Sequence, residues 1–551
     1  MEIPVKRAPF WWLAVLLLTA MATLQFTTVR RESQTFDEAV QLFSGYTYLT
    51  TGRFTVGREH PPLLKLLWAI PVSLLHPSPP ASHPDGEEPS RTATDFLYHN
   101  RVPADAMVMA GRCSAIAISV LLGLAIAFWA RLHFGAAPAL LATFLYAADP
   151  NFLANGRYIK NDVGAALTIF AASMTWGAYL MNPTRKRLWL SGLIAGLALT
   201  TKNSALILAP IMPLLYLVRR WQQRRDFAAG ECIRSLGTVA AIAFLVILAV
   251  YRFEVEPAGT SGTFSGIFHA MPWLTRVPVP ALSYFRGVGD IGRKQTGMGL
   301  MGLEVSYLLG AQSPTGWWYM SPVALAVKTP LAELALLALA LVAAAGRLRT
   351  LRLRDMGFRW VLLLLPAACY FVAALMSHSN AGERHLLPLH PFLFIFAAAV
   401  MLSGPVPTWR WLAVAACALL LIVETASVHP HYLAFFNALA GGPSGGRRYL
   451  VDSNLDWGQD VKNLKEYLDA HRIPEVCISY FGQADLDYYG IRHRELPDVL
   501  DVADARKLDC VAAISVTNLG IYHKKFAGLD RLEPDARIGY SIYVYDLRKR
   551  P

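Results

Sequence analysis

The chain has 551 residues, 54% of them hydrophobic and only 16% charged, and its formal net charge is +12. Such proportions belong to polytopic membrane proteins. The positive balance does not mark a nucleic-acid binder: KR at 6–7, RKR at 185–187, RR…RR at 219–225 and RLRTLRLR at 347–354 are short clusters between apolar runs, as in loops kept on the cytoplasmic side, with no glycine-rich phosphate loop or basic–aromatic interleaving beside them.

Residues 10–29 form an apolar run long enough to cross a bilayer, preceded by Lys6 and Arg7. No small-residue cleavage site follows, so the run reads as an uncleaved anchor. Residues 30–105 then make a long, mostly polar outer loop in which Phe36, Val40, Phe43 and Tyr46 recur at helical spacing, predicting a helix that lies in the membrane interface. The apolar stretch 63–75 is too short to span and reads as re-entrant or interfacial, and 76–95 is a loop rich in Pro, Ser and acids. Further crossings are expected near 106–131, 134–150, 163–181, 188–203, 204–219, 234–252, 319–345, 358–377, 388–404 and 409–428, about eleven in all. An odd number of crossings from an inside N-terminus puts the tail outside, with the basic clusters on one side and the loops 30–105 and 253–318 on the other.

From residue 429 the composition changes. RRYLVD, PEVCISYF, LDCVAAISV and SIYVYDL are short β-like runs, and GQDVKNLKEYLDAH between them has a helical pattern. The expected organisation is a polytopic α-helical membrane domain over 1–428 followed by a small extracytoplasmic α/β domain over 429–551. Of six cysteines, Cys113, Cys232, Cys369 and Cys417 lie in or beside apolar segments, while Cys477 and Cys510 fall in the tail, where an oxidising compartment would allow them to pair.

The chemistry-bearing residues gather at the ends of apolar runs. In TFDEAVQLFSGYTYLTTGRFTVGREHPP (35–62), Asp37 and Glu38 are either acids favoured in the first turn of a helix or a general base for an attacking hydroxyl. Asp162, in NGRYIKNDVGAAL between Arg157, Tyr158 and Lys160 and the following apolar run, could bind a metal, fix a sugar hydroxyl or cap its helix. His60 is an interface anchor, a hydrogen-bond donor to an anionic headgroup or, with Glu59, a two-residue metal ligand set. Arg58 stands beside them. Lys202, Lys328 and the pair Arg384–His385 lie near membrane ends, where snorkelling is the ordinary role. Lys328 sits deeper, inside WWYMSPVALAVKTPLAELALLAL, and needs an anionic partner such as Glu333 or a lipid phosphate.

At these residues the chain resembles a family. FDEAVQLFSGYTYLTTGRF…REHPPLLKLLWAIP is similar to the first outer loop of lipid-carrier-dependent glycosyltransferases with the C-type membrane fold, a group that includes the protein O-mannosyltransferases and the lipid A aminoarabinose transferases. NFLANGRYIKNDVGAAL resembles their second acidic site and GLALTTKNSALIL the helix pair after it. WWYMSPVALAVKTP, ERHLLPLHPF and VDSNLDWGQDVKNLKEYL are similar to later segments of bacterial members.

The resemblance implies Asp37 as catalytic base supported by Glu38, with Asp162 holding acceptor or sugar. It implies Arg58, His60, Lys202, Lys328, Arg384 and His385 around the donor phosphate, and Glu59, Arg157 and Tyr158 toward the substrate. His60 departs from the pattern, standing where the aminoarabinose transferases have a lysine on the carrier phosphate. The tail differs from the β-trefoil insert of eukaryotic mannosyltransferases, so the acceptor does not carry over. The implied activity is transfer of a hexosyl or pentosyl group from a polyprenyl-phosphate donor to a hydroxyl of a protein, lipid or glycan, with inversion, at the outer face of the cell inner membrane. No cofactor is required by that chemistry, although a divalent metal at Glu59 and His60 is compatible with it. The rival class is a lipid-linked-sugar transporter or flippase, which would favour paired, Gly/Pro-broken spans in matching halves. An assembly protein would leave the loop acids unexplained.

Overall fold

The computed structural model describes residues 7–79, 89–224, 226, 228–260, 271–295, 306–348, 356–377 and 382–549. Seven described helices are long and apolar enough to cross a membrane: Pro9–Val29, Ala104–Phe134, Asn161–Met181, Asn203–Gln222, Ala229–Val250, Phe358–Met376 and Thr408–Ser427. An eighth candidate, Met320–Lys328 with Leu331–Ala345, is bent by 110°. The break falls at Thr329–Pro330, where proline can neither donate a backbone hydrogen bond nor continue the helix before it. The carboxylate of Glu424, on the Thr408–Ser427 helix, accepts from the backbone N–H groups of Leu331 (2.9 Å) and Ala332 (3.1 Å), satisfying donors exposed by the break.

Of the eleven expected crossings, seven, or eight with the bent pair, fall on described helices long and apolar enough to cross a membrane. The other three predicted segments are helical but short: Ala136–Ala148 has 13 residues, Arg185–Leu199 has 15 and His390–Leu402 has 13. Thirteen residues reach about 20 Å, against a hydrocarbon core of about 30 Å. Ala136–Ala148 ends because Pro150 follows and Asp149 caps the next short helix, its carboxylate accepting from Asn151 and Phe152 N–H.

The helix expected in the membrane interface runs Glu38–Thr51 and closes on Gly52 at φ 70°, a left-handed position that suits glycine. Its amphipathic spacing is real, but the structure covers it rather than laying it in lipid: Phe43 and Tyr46 pack on Phe96 from the Ser90–Tyr98 helix, and Gly45 lies against Leu63–Ser73. The tail also closes over this region. Ser33 N–H donates to Gln459 O (2.9 Å), its hydroxyl donates to Gly458 O (2.9 Å), and Phe36 N–H donates to Trp457 O (2.9 Å). Phe36 and Phe481 stack at 5.2 Å.

The C-terminal part holds a five-stranded sheet in the order His493–Glu495, Val476–Ser479, Val511–Ser515, Ile542–Asp546, Ala536–Ile538. The first three strands are parallel and the last two pair antiparallel. Alternation along the strands serves two cores. Val476, Ile478, Val511, Ala513 and Val544 join Leu42, Phe43 and the Val461–Ala470 helix, while Ala512, Ile514, Tyr543 and Tyr545 join Phe436, Leu450 and Met320. Cys477 and Cys510 form a disulfide.

The packing at Gly45 is testable. A Cβ there would stand 2.2 Å from the carbonyl oxygen of Lys65, a backbone atom that cannot swing away. Gly45→Ala is expected to destabilise the protein by about 1–3 kcal/mol, read as a lowered Tm in detergent, and an unchanged Tm would contradict this packing.

Candidate active site

Asp37 is the residue before the Glu38–Thr51 helix, and Asp162 lies in the first turn of Asn161–Met181. The chain between Gly156 and Asn161 does not continue the preceding short helix. Lys160 is extended, at φ −147° and ψ 153°, which aims its side chain across the start of the next helix. Lys160 Nζ lies 3.7 Å from Asp37 Oδ2 and 3.6 Å from Asp162 Oδ2. Lys202, at the start of the Asn203–Ile207 turn, pairs with Asp162 Oδ1, and Arg384 Nη1 lies 3.4 Å from Asp37 Oδ2. Two carboxylates and three cations from four separate stretches thus meet in one cluster. Asp162 is 5% exposed at its side chain and Asp37 36%, so Asp37 offers the reachable carboxylate.

The floor is Trp457, itself 1% exposed and fixed by the backbone contact with Phe36. Lys160 Nζ sits 3.0 Å from its ring centroid and Arg384 Cζ 4.9 Å, both within cation–π range. Burial, then the neighbouring Arg384 charge, pushes the Lys160 ammonium down to about 7, with Asp162 and Asp37 acting in the opposite sense. His60 is held well below the usual imidazole range by burial and by Lys202 and Lys65, and His385 by burial and by Lys202 and Arg384. Both are therefore neutral near pH 7, polar groups of the pocket rather than the cations considered from sequence.

Glu38 does a different job from Asp37. Its carboxylate is fully buried and accepts four bonds: Thr35 N–H at 2.8 Å, Arg112 Nε at 2.9 Å, Arg112 Nη2 at 2.6 Å and Ile159 N–H at 3.0 Å. It is a brace that ties the Asp37 turn to the Lys160 segment. Arg157, expected at the substrate, is buried and bidentate to Glu32 at 2.5 and 3.0 Å. Tyr158, also expected there, is wholly buried with its ring beneath the guanidinium groups of Arg112 (5.6 Å) and Arg157 (5.0 Å). Both residues form the wall behind the site.

Lys328 is likewise placed elsewhere. Its ammonium donates to the carbonyls of Leu433 (3.0 Å) and Asn454 (2.7 Å) and lies over Phe436 at 4.5 Å, so main-chain oxygens stand where a lipid phosphate was expected. Arg58 Nε is 4.0 Å from Asp290. Glu59 is exposed, and its carbonyl accepts from Asn203 Nδ2 at 3.0 Å, which joins the His60 loop to the Lys202 turn. Among the described residues, the group of His and carboxylate side chains close enough to share a metal is Asp149, Glu333 and His390, and it includes neither Glu59 nor His60.

Sequence reasoning missed Lys160 as a site residue, together with Trp457, Arg112 and Glu32. Lys160 stood two residues before Asp162 and Trp457 in the quoted LDWGQD block. Arg112, inside the apolar run AMVMAGRCSAIAI, carried the cost signal of an intramembrane charge.

Residues 13–254 match the family model described as dolichyl-phosphate-mannose-protein mannosyltransferase. The matched stretch contains the first-loop, second-acid and following helix-pair segments on which the resemblance was read in the sequence. Among solved structures, the chain is similar to the Archaeoglobus fulgidus oligosaccharyltransferase in its apo form (13% identity, 95% of this chain and 72% of that one, TM-score 0.51). It also aligns with ArnT from Cupriavidus metallidurans bound to undecaprenyl phosphate (13% identity, 98% of each chain, TM-score 0.49). A shorter match is to the S. cerevisiae protein O-mannosyltransferase Pmt1–Pmt2 complex bound to the sugar donor (21% identity, 46% of this chain and 33% of that one, TM-score 0.35). No curated protein matches in sequence.

The brace makes a prediction of its own. Arg112→Leu leaves the Glu38 carboxylate buried without its main partner and is expected to cost about 3–5 kcal/mol, whereas Arg112→Leu with Glu38→Leu costs less than the single change. Thermal unfolding of both variants in detergent checks this, and equal stability of the single variant and the wild type would contradict it.

Proposed function

We propose that this chain transfers a sugar from a polyprenyl-phosphate donor to an acceptor hydroxyl at the extracytoplasmic face, with Asp37 as general base. The observation that carries the reading is the shared Lys160, which holds the half-exposed Asp37 beside a cluster of Lys160, Lys202 and Arg384. A polyprenyl-phosphate leaving group needs little protonation, but it needs positive charge near the departing oxygen, and such charge acts strongly in a water-poor site. The three cations supply it. Asp37 accepts the proton of the attacking hydroxyl as oxygen bonds the anomeric carbon, the carbon–phosphate oxygen bond breaks on the opposite face, and the sugar inverts. Asp162, enclosed by Lys160 and Lys202, sets the position of both ammonium groups. The disulfide in the tail suits an oxidising compartment, and the tail closes directly over the Asp37 turn. ArnT, one of the structural neighbours, was solved with undecaprenyl phosphate, a ligand of the chemistry proposed here.

Asp37→Asn is expected to lower transfer from a labelled polyprenyl-phosphate sugar by about 10²–10⁴-fold while the protein stays folded and membrane-inserted. Turnover at the wild-type rate would remove Asp37 as base. Lipid movement across vesicles without bond breakage would favour a flippase.

A second expectation concerns pH. The sugar-linked phosphate is a diester with one fixed charge, and the depressed His60 and His385 stay neutral above their usual range. Lys160, charged below about 7 and neutral above it, is then the group that titrates. Donor affinity should fall as pH rises through about 7, and Lys160→Arg, which keeps its charge, should flatten the profile. Wild-type affinity independent of pH between about 6 and 8, a decade either side of neutrality, would contradict it.

A further inference from the structure

A second buried cluster lies outside the Asp37–Asp162 pocket. Asp149 sits between the Ala136–Ala148 and Pro150–Asn155 helices, Glu333 in the first turn of Leu331–Leu348, and His390 at the start of His390–Leu402. They are 0%, 7% and 1% exposed, and the ligand atoms they offer all lie within 4.8 Å of one another. His390 Nε2 is 2.7 Å from Oε1 of the buried Glu383, and its Nδ1 is 4.0 Å from Asp149 Oδ2. Phe152 and Phe394 flank the imidazole at 5.8 and 5.5 Å. Asp149 Oδ1 is used by the N–H groups of Asn151 and Phe152, but Asp149 Oδ2 and Glu333 Oε1, both buried, receive no donor from the described residues.

The charges do not balance with protein groups alone. Asp149, Glu333 and Glu383 bring three carboxylates, and Lys328, the nearby cation, spends its ammonium on two carbonyls. With a neutral imidazole the group is two charges short of neutral, a costly condition away from water. Either protons, on the carboxyls and the imidazole, or a divalent cation must make up the difference. The imidazole is placed to serve a cation. Nε2 lies beside Glu383 and Nδ1 toward Asp149, with Glu333 in the same group, which is the arrangement by which an outer carboxylate orients a metal-bound histidine.

We propose that Asp149, Glu333 and Nδ1 of His390 form a divalent transition-metal site, with Glu383 orienting the imidazole through Nε2. One imidazole nitrogen and two carboxylate oxygens suit zinc or manganese better than an all-oxygen cation. The bound ion clasps three chain segments. It also fixes the turn in which Glu383 is followed by Arg384, the cation that reaches Asp37. This assignment stands independently of the transfer reaction.

The test uses the full chain in detergent, freed of any histidine tag, stripped with chelator and titrated with Zn²⁺. Binding of about one zinc per chain with a raised Tm is expected, as is loss of that ion in Asp149→Asn/Glu333→Gln and its retention in Glu59→Gln/His60→Ala. X-ray absorption of the zinc-loaded wild type should show one imidazole and otherwise oxygen neighbours, a reading that does not depend on the variants folding. Failure of the wild type to take up zinc, an ion that survives in the Asp149/Glu333 variant, or a ligand shell with no imidazole or several would each overturn the site; the first would leave protons shared between the carboxyls as the explanation.

Discussion

One ammonium group between two carboxylates organises this molecule. Lys160 is nearly buried, and it stands within 3.7 Å of both Asp37 and Asp162. A lysine at that depth needs its compensation close by. Asp37 and Asp162 provide it, together with the face of Trp457. The tail that carries Trp457 is bound to the first loop through Ser33 and Phe36, so the membrane helices, that loop and the C-terminal sheet are all held to one point.

Behind that point lie two buried ion pairs, Glu38 with Arg112 and Glu32 with Arg157, separated by the ring of Tyr158. Buried pairs of this kind contribute little net stability relative to apolar packing, but they define geometry because either partner alone is costly. Their value here is positional. Glu38 accepts from the backbone of Thr35 on one side of Asp37 and from Ile159 beside Lys160, which sets the spacing of the two halves of the site. Asp37 remains half-exposed while its neighbour is sealed, so adjacent acids in the sequence have opposite roles in the fold.

The parts of this arrangement that sequence made legible are the ones with local signals. Asp37 and Asp162 stood at the starts of helices beside apolar runs, and Arg384 and Lys202 stood at membrane ends; the structure brings all four together. The parts that were not legible depend on partners far along the chain. Nothing near Arg157 announces Glu32, and nothing near Lys328 announces that carbonyls of Leu433 and Asn454 will accept its hydrogen bonds. Hydropathy found the apolar segments but not their breaks: Pro150 and Pro330 each interrupt a run that a sliding window joins or overextends. The Glu38–Thr51 helix has an interfacial pattern by its own spacing, and only the return of the chain over it turns that pattern into a buried contact.

Asp37 and the Lys160, Lys202 and Arg384 cluster are proposed to form one donor site. A structure of the protein with a polyprenyl phosphate bound tests this most directly. The phosphate is expected within hydrogen-bonding distance of at least two of those three cations, with Asp37 facing the position of the sugar. A phosphate seated away from them, against Lys328 or on the opposite face of the membrane domain, would contradict it.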